Sequence, residues 1–181
     1  MSSSTLLPPF DELEHDPTRR ADRADTEVAR PLDADRTVLF LCTGNFYRSR
    51  FAEELFNAWA PGAVDAVAIS RGLALDVGVR PPGPMSAIAI EGLEQRGVQV
   101  RSPRSPMLVR PDELAVARRV IALHGKEHLP LVEQRFPDWL HRVEFWDVPD
   151  VKEMEAAPAL MRTSRLVREL LDELAHELQL G

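Results

Sequence analysis

In VLFLCTGNFYRSRFAEELF, Val38 to Phe56, the chain's single cysteine ends an apolar run and an arginine follows six positions later. Cys42, Thr43, Gly44, Asn45, Phe46, Tyr47, Arg48 and Ser49 make a Cys-x5-Arg-Ser arrangement whose parts suit a phosphate or similar oxyanion. A loop curling into a helix N-terminus turns its backbone N–H groups inward and adds the positive end of the helix dipole. Gly44 and Asn45 are the types that most readily take the positive φ such a curl requires. Arg48 can close the ring, because its planar fork binds two phosphate oxygens at once and stays charged at any relevant pH. The same field favours thiolate over thiol, since helix termini and neighbouring cations bring thiol titration down to roughly pH 3.5–7.5. Cys42 is then a nucleophile facing a cradled phosphorus, with Ser49 donating to its sulfur, and attack yields a cysteinyl-phosphate. A lone cysteine closing an apolar strand is by itself more often an inert core residue. Packing does not explain Gly-Asn, Arg and Ser at these offsets. The Gly-Lys-Ser/Thr ending of a nucleotide P-loop is absent.

These residues need a strand before them and a helix after them. Thr37 to Leu41, TVLFL, is the continuous apolar run of a strand covered on both faces. Beyond Ser49, the apolar residues Phe51, Ala52, Leu55, Phe56 and Trp59 recur at helical spacing until Pro61 and Gly62. The alternation repeats: Ala66 to Ser70 reads as strand, Met85 to Arg96 as helix, Arg119 to Leu123 as strand, Lys126 to Arg135 as helix, and Val143 to Trp146 as strand. A final helix carries Leu166, Val167, Leu170, Leu171, Leu174 and Leu178 on one face. Val98 to Val100 is too short to assign. Strands alternating with helices predict parallel pairing and an α/β fold: a single three-layer domain with about four parallel strands, flanked by helices on both faces. Ligands of such sheets sit beyond the C-terminal ends of the strands, where the phosphate-binding loop after the first strand lies.

At 181 residues the chain fits one domain burying roughly two-thirds of its unfolded surface. Residues 1–36, polar and without a sustained period, read as a poorly ordered leader, with a short helix allowed within Arg19 to Arg30; the catalytic domain is then 37–181. The net charge of -7, without a basic block, argues against nucleic acid as a partner. No apolar run approaches the roughly 18 residues of a membrane span, and a single cysteine fits a reducing compartment, so the expected location is cytoplasmic. His124 and His128 in HGKEH stand four apart like metal ligands, but no third ligand is evident and Gly125 argues against a helix there.

CTGNFYRS resembles the C-x-G-N-x-x-R-S signature of the low-molecular-weight protein tyrosine phosphatases and the related arsenate reductases. The likeness extends from Thr37 to the C-terminus: SRG at Ser70 to Gly72 is similar to the family's Ser-Ala-Gly, and RSPRS at Arg101 to Ser105 to its basic segment after the second helix. It implies a four-stranded parallel sheet, no metal or other cofactor, Cys42 as nucleophile, Arg48 as phosphate ligand, the rest of the loop as phosphate cradle, and a late aspartate as general acid. Expelling an alkoxide or aryloxide asks for such an acid in any case. FWDVPDVKE supplies two, and Asp150 fits the family spacing better than Asp147, although neither precedes proline. Tyr47 stands where relatives carry a second cysteine, which excludes a protective disulfide in the loop and intramolecular cysteine relays. Arg50 replaces a proline and is expected to add positive charge near the mouth. The aromatic walls are thinned at Val151 and at Leu73 to Asp76, with Phe46, Tyr47 or Trp146 as substitutes. The implied activity is hydrolysis of a phosphomonoester, phosphotyrosine first, with inorganic phosphate or another oxyanion bound in the loop. A thiol-dependent arsenate reductase and a non-catalytic phosphopeptide-binding module are the alternatives.

Overall fold

The computed structural model describes residues 32–100, 103–150 and 154–180. Four strands, β1 (Thr37–Cys42), β2 (Val67–Gly72), β3 (Arg119–Ala122) and β4 (Val143–Phe145), form one sheet in the order β2-β1-β3-β4. All pairs are parallel. Among the described residues five α-helices connect and close it: α1 (Arg48–Trp59), α2 (Ala87–Glu94), α3 (Pro111–Val116), α4 (Gly125–Arg135) and α5 (Ala156–Leu180).

TVLFLC is the middle of the structure for the reason its composition suggests. Every residue of β1 is buried, and successive side chains enter opposite layers. Val38 and Phe40 join Phe51 and Leu55 of α1, Leu93 of α2 and Val167, Leu170, Leu171 and Leu174 of α5. Leu39 and Leu41 join Leu114 of α3 and Val132 of α4 on the other side. The three-layer α/β architecture expected from the alternation is present. Gly92 sits where α2 crosses α5: a Cβ there would lie 2.4 Å from Leu160 Cδ1, so the approach of these helices depends on its missing side chain.

Two expectations change. Helix α4 begins at Gly125, the residue that argued against a helix: its N–H donates to Trp146 O at 2.9 Å, and a Cβ would come within 3.3 Å of Phe145 Cβ. Glycine is there because the start of the helix abuts β4. Second, α3 escaped the periodicity because six residues do not complete two turns; its signs were local, Pro111 at the first helical position and Glu113 reaching back to the Arg110 N–H at 3.0 Å. At the start of β3, Arg118 is ion-paired with Glu177, and Arg119 with Glu144, Glu173 and Glu177.

The leader expectation for residues 1–31, the helix within Arg19 to Arg30 included, lies outside the described residues. Residues 33–36 already form a turn, in which the Thr37 N–H donates to Asp33 O at 2.9 Å and delivers the chain into β1. Among the described residues no helix is long and apolar enough to cross a membrane.

Candidate active site

β1 ends at Cys42, 3% exposed, and α1 starts six residues later at Arg48, also 3% exposed. Asn45 makes the turn between them, with φ of 47°. Gly44 does not share the positive φ expected of it. Its role is clearance, since a Cβ would stand 3.1 Å from Val79 Cγ1 and 3.5 Å from Pro81 Cγ. Tyr47 caps α1 without a side-chain hydrogen bond, and no acidic residue occupies the first turn. The positive end of the helix therefore faces the loop rather than a capping carboxylate.

Cys42 Sγ lies 3.0 Å from Ser49 Oγ. Ser49 Oγ also accepts from Asn45 Nδ2 at 3.1 Å, which leaves its own hydrogen for the sulfur. Asn45 is itself fixed on every side. Its Nδ2 also donates to Ser70 Oγ at 2.8 Å, and its Oδ1 accepts from Arg104 Nη1 and from the Met107 N–H, both at 3.0 Å. Ser70, from the SRG motif, and Arg104, from RSPRS, thus act on the turn of the loop; Arg101 and Ser102 of that segment lie outside the described residues. Arg104 Nη2 continues to Ser70 O at 2.9 Å and to Glu53 Oε2 at 3.0 Å.

Arg50 belongs to this network and not to the mouth. It is fully buried, with Nη1 2.6 Å from Glu53 Oε2 and Nη2 3.3 Å from Glu54 Oε1. Two residues along a helix turn the side chain by about 200°, so Arg48 and Arg50 cannot share a face. The expected positive charge at the entrance is instead a structural counter-ion beneath the loop. Burial lowers the proton affinity of Arg104, with the charges of Arg50 and Arg71 adding to the effect and Glu53 opposing it.

Arg48 meets an acid that the motif does not contain. Its Nη1 donates to Glu127 Oε2 at 2.7 Å and its Nη2 to Glu127 Oε1 at 3.0 Å, a bidentate pair. Thr43 Oγ1 donates to the same carboxylate. Burial works against ionisation of Glu127, but the nearby His128 imidazole and the hydrogen bonds from Arg48 and Thr43 outweigh it and hold the carboxyl well below its ordinary range. Burial likewise opposes the charge on Arg48, and Glu127, Cys42 and Asp150 together raise its proton affinity. Sequence reading placed Glu127 in the first turn of the helix from Lys126 to Arg135 but gave no reason to aim it at the loop.

Of the two candidate acids, Asp150 is brought to the loop, with Oδ2 3.0 Å from Arg48 Nη2 and its side chain 32% exposed. Asp147 is 68% exposed and pairs with Arg162 at 3.0 Å, with His124 Nε2 at 3.6 Å. His124 and His128 do not form a metal pair, since His128 Nδ1 accepts from the His124 N–H at 3.0 Å. Among the described residues no cluster of three or more His, Cys, Asp and Glu side chains is placed to hold a metal.

The walls of the cleft divide the proposed aromatic substitutes. Tyr47 is in the core, Trp146 is half-buried and packs on Phe40 with ring centroids 5.6 Å apart, and Phe46 is half-buried in the loop itself. Leu73 and Ala74 are buried, and Asp76 pairs with Arg135, so that side offers no ring. Val151 lies outside the described residues. Burial, then the charge of Asp150, push the Tyr47 phenol up to about 12, with Arg48 opposing. Tyr47 is the only tyrosine of the chain, so absorbance at 295 nm reads it alone. The expected midpoint is near pH 12 in the native protein and about 10 in urea. Because the folded state holds this proton more tightly, Tyr47 stabilises the fold below pH 10 and loses that contribution as pH rises toward 12. A native midpoint equal to that in urea would contradict its burial.

The chain resembles known proteins over the same region. No curated protein sequence matches it. Among solved structures, Vibrio vulnificus Wzb in complex with benzylphosphonate is 19% identical, with a TM-score of 0.62 over 78% of this chain and 98% of that one. The low molecular weight protein tyrosine phosphatase from T. tengcongensis is 28% identical, with a TM-score of 0.57 over 79% and 97%. YwlE arginine phosphatase from Geobacillus stearothermophilus is 22% identical, with a TM-score of 0.58 over 80% and 93%. The family model described as low molecular weight phosphotyrosine protein phosphatase matches residues 37–180, from the first residue of β1 to the last of α5. With the loop, the sheet order and this match in agreement, the chain belongs to the low molecular weight phosphotyrosine protein phosphatase family and is a cysteine-dependent phosphatase.

Proposed function

We propose that the enzyme hydrolyses phosphotyrosine on proteins through a cysteinyl-phosphate formed on Cys42, with Arg48 as phosphate ligand, Asp150 as general acid and base, and Thr43, Gly44, Asn45, Phe46, Tyr47 and Ser49 completing the cradle. The observation that carries this reading is the convergence on one loop of a buried sulfur 3.0 Å from a serine hydroxyl and an arginine within 3.0 Å of Asp150. In the first step the Cys42 thiolate attacks phosphorus in line, the P–O bond to the leaving group breaks, and Asp150 delivers a proton to the departing oxygen. In the second, water attacks the cysteinyl-phosphate, Asp150 takes its proton, the S–P bond breaks, and inorganic phosphate leaves with the thiolate restored. The loop amides and the helix dipole supply charge stabilisation throughout. A single thiol that must stay reduced suits the cytoplasm as its place of action.

Turnover of p-nitrophenyl phosphate and of a phosphotyrosine peptide tests this, with a phosphoarginine peptide and arsenate plus reduced glutathione as comparisons. Hydrolysis of the first two above both comparisons is expected. Arsenate reduction without ester hydrolysis would establish the reductase, and oxyanion binding without turnover across pH 5 to 8 would establish the binding module.

A further inference from the structure

The two terminal nitrogens of Arg48 carry four hydrogens and meet four acceptors. Nη1 donates to Glu127 Oε2 at 2.7 Å and to Val148 O at 3.3 Å, and Nη2 lies 3.0 Å both from Glu127 Oε1 and from Asp150 Oδ2. A phosphoryl group bound by two adjacent N–H groups must therefore take at least one hydrogen from an acceptor already in place. It has two ways to do so. The end-on edge, Nη1 with Nη2, is spanned by Glu127. The side-on edge pairs Nη2 with Nε, and there Asp150 holds a single nitrogen.

These acids are held unequally. Glu127 has both Arg48 bonds and the Thr43 hydroxyl, stands on the first turn of α4, and lies 3.8 Å from His124 Nδ1 and 3.6 Å from His128 Nε2. Entry at the end-on edge would break two charge-assisted bonds and strand the Thr43 hydroxyl as well. Asp150, a third exposed and on an irregular segment beyond β4, yields for one.

From this geometry we infer that Glu127 is a positioning residue: it locks the end-on edge of Arg48, ties it to Thr43 beside the nucleophile, and so presents the side-on edge to a phosphoryl group that displaces Asp150 and leaves Glu127 in place. The inference rests on the reading of Arg48 as phosphate ligand. It also gives the displacement a use, because an Asp150 carboxyl released from Arg48 as the phosphoryl group arrives is available to the leaving oxygen. Repulsion between Glu127 and the oxyanion acts in the opposite direction. It is the smaller effect, because the charge of Glu127 is already compensated by Arg48, whereas losing the clamp frees a long side chain whose direction the cradle requires.

Calorimetric titration of the full-length protein with inorganic phosphate, well below its melting temperature, tests the inference. Glu127→Ala is expected to weaken phosphate binding about tenfold and to lower kcat/KM for p-nitrophenyl phosphate by at least as much, with Glu127→Gln between it and wild type. Asp150→Asn is expected to bind phosphate as tightly as wild type or more tightly. A merely structural role for Glu127 would lower the melting temperature and leave the affinity of the folded protein unchanged. Thr43→Val, which cuts the second tie and spares the ion pair, is expected to act in the same direction more weakly, and it decides the matter if the Glu127 variants do not fold. Unchanged or tighter phosphate binding in folded Glu127 variants, or in Thr43→Val when it alone folds, overturns the inference. Wild-type protein that binds no phosphate would instead overturn the reading of the loop, so the two failures are distinct.

Discussion

Replacing Cys42 with serine is expected to abolish phosphoester hydrolysis while leaving inorganic phosphate in the loop. A serine hydroxyl is un-ionised at neutral pH and forms no cysteinyl-phosphate, so kcat should fall by about 10⁴-fold or more, the scale on which removal of a covalent nucleophile acts. Binding should persist because it is carried by other groups: Arg48, the backbone of Thr43 to Ser49, and the first turn of α1. The substitution is nearly isosteric, and the hydroxyl can keep the bond that the sulfur makes to Ser49 at 3.0 Å. Since the thiolate no longer repels the ligand, phosphate should bind at least as tightly as in wild type. Steady-state kinetics and phosphate calorimetry on one preparation measure both halves. Full activity in Cys42→Ser protein would sink the covalent mechanism, and activity and binding lost together, with the fold intact, would make Cys42 a ligand of the oxyanion and nothing more.

Asp150→Asn carries the second large effect, and the leaving group decides its size. Asparagine keeps the shape and can still accept from Arg48, but has no proton to deliver to the departing oxygen. For an alkyl phosphate or a phosphotyrosine peptide, kcat is expected to fall about 10²- to 10³-fold, in the range that general acid catalysis supplies. For p-nitrophenyl phosphate, whose leaving group departs readily without a proton, the loss should be nearer tenfold. Asp147→Asn is the control and should remain within about twofold, because that side chain is largely solvated and engaged by Arg162. A loss independent of the leaving group would take the role of acid from Asp150, and a larger loss at Asp147 would transfer it there.

Much of this was legible without coordinates. In β1 a six-residue apolar run can only be covered on both faces, and Phe51, Ala52, Leu55 and Phe56 at helical spacing can only lean on such a sheet. Strand, loop and helix are local consequences of side-chain period, so the position of Cys42 at the strand end and of Arg48 at the helix start could be read directly. The four strands were found in order, with bounds within a residue or two, for the same reason. Short elements were less visible, since α3 lacks the length to show a period; α4 was read from Lys126 and starts one residue earlier, at Gly125, which reads as a helix breaker unless the close approach of Phe145 is known.

What each charge does was decided by the tertiary structure. Arg48 and Arg50 are two residues apart and identical in kind, yet one turns to the cradle and the other is sealed under it between Glu53 and Glu54. Glu127 and Arg104 reach the loop from 79 and 59 residues away, and although RSPRS marked Arg104 as part of a basic segment, neither residue's partner could be read from its neighbours. The sequence by itself determined the elements and the reaction type, since these follow from residues adjacent along the chain. Spacing favoured Asp150 over Asp147, but only packing could bring it to Arg48 and join Glu127 there, because electrostatic partners are selected by distances in space that one-dimensional spacing does not encode.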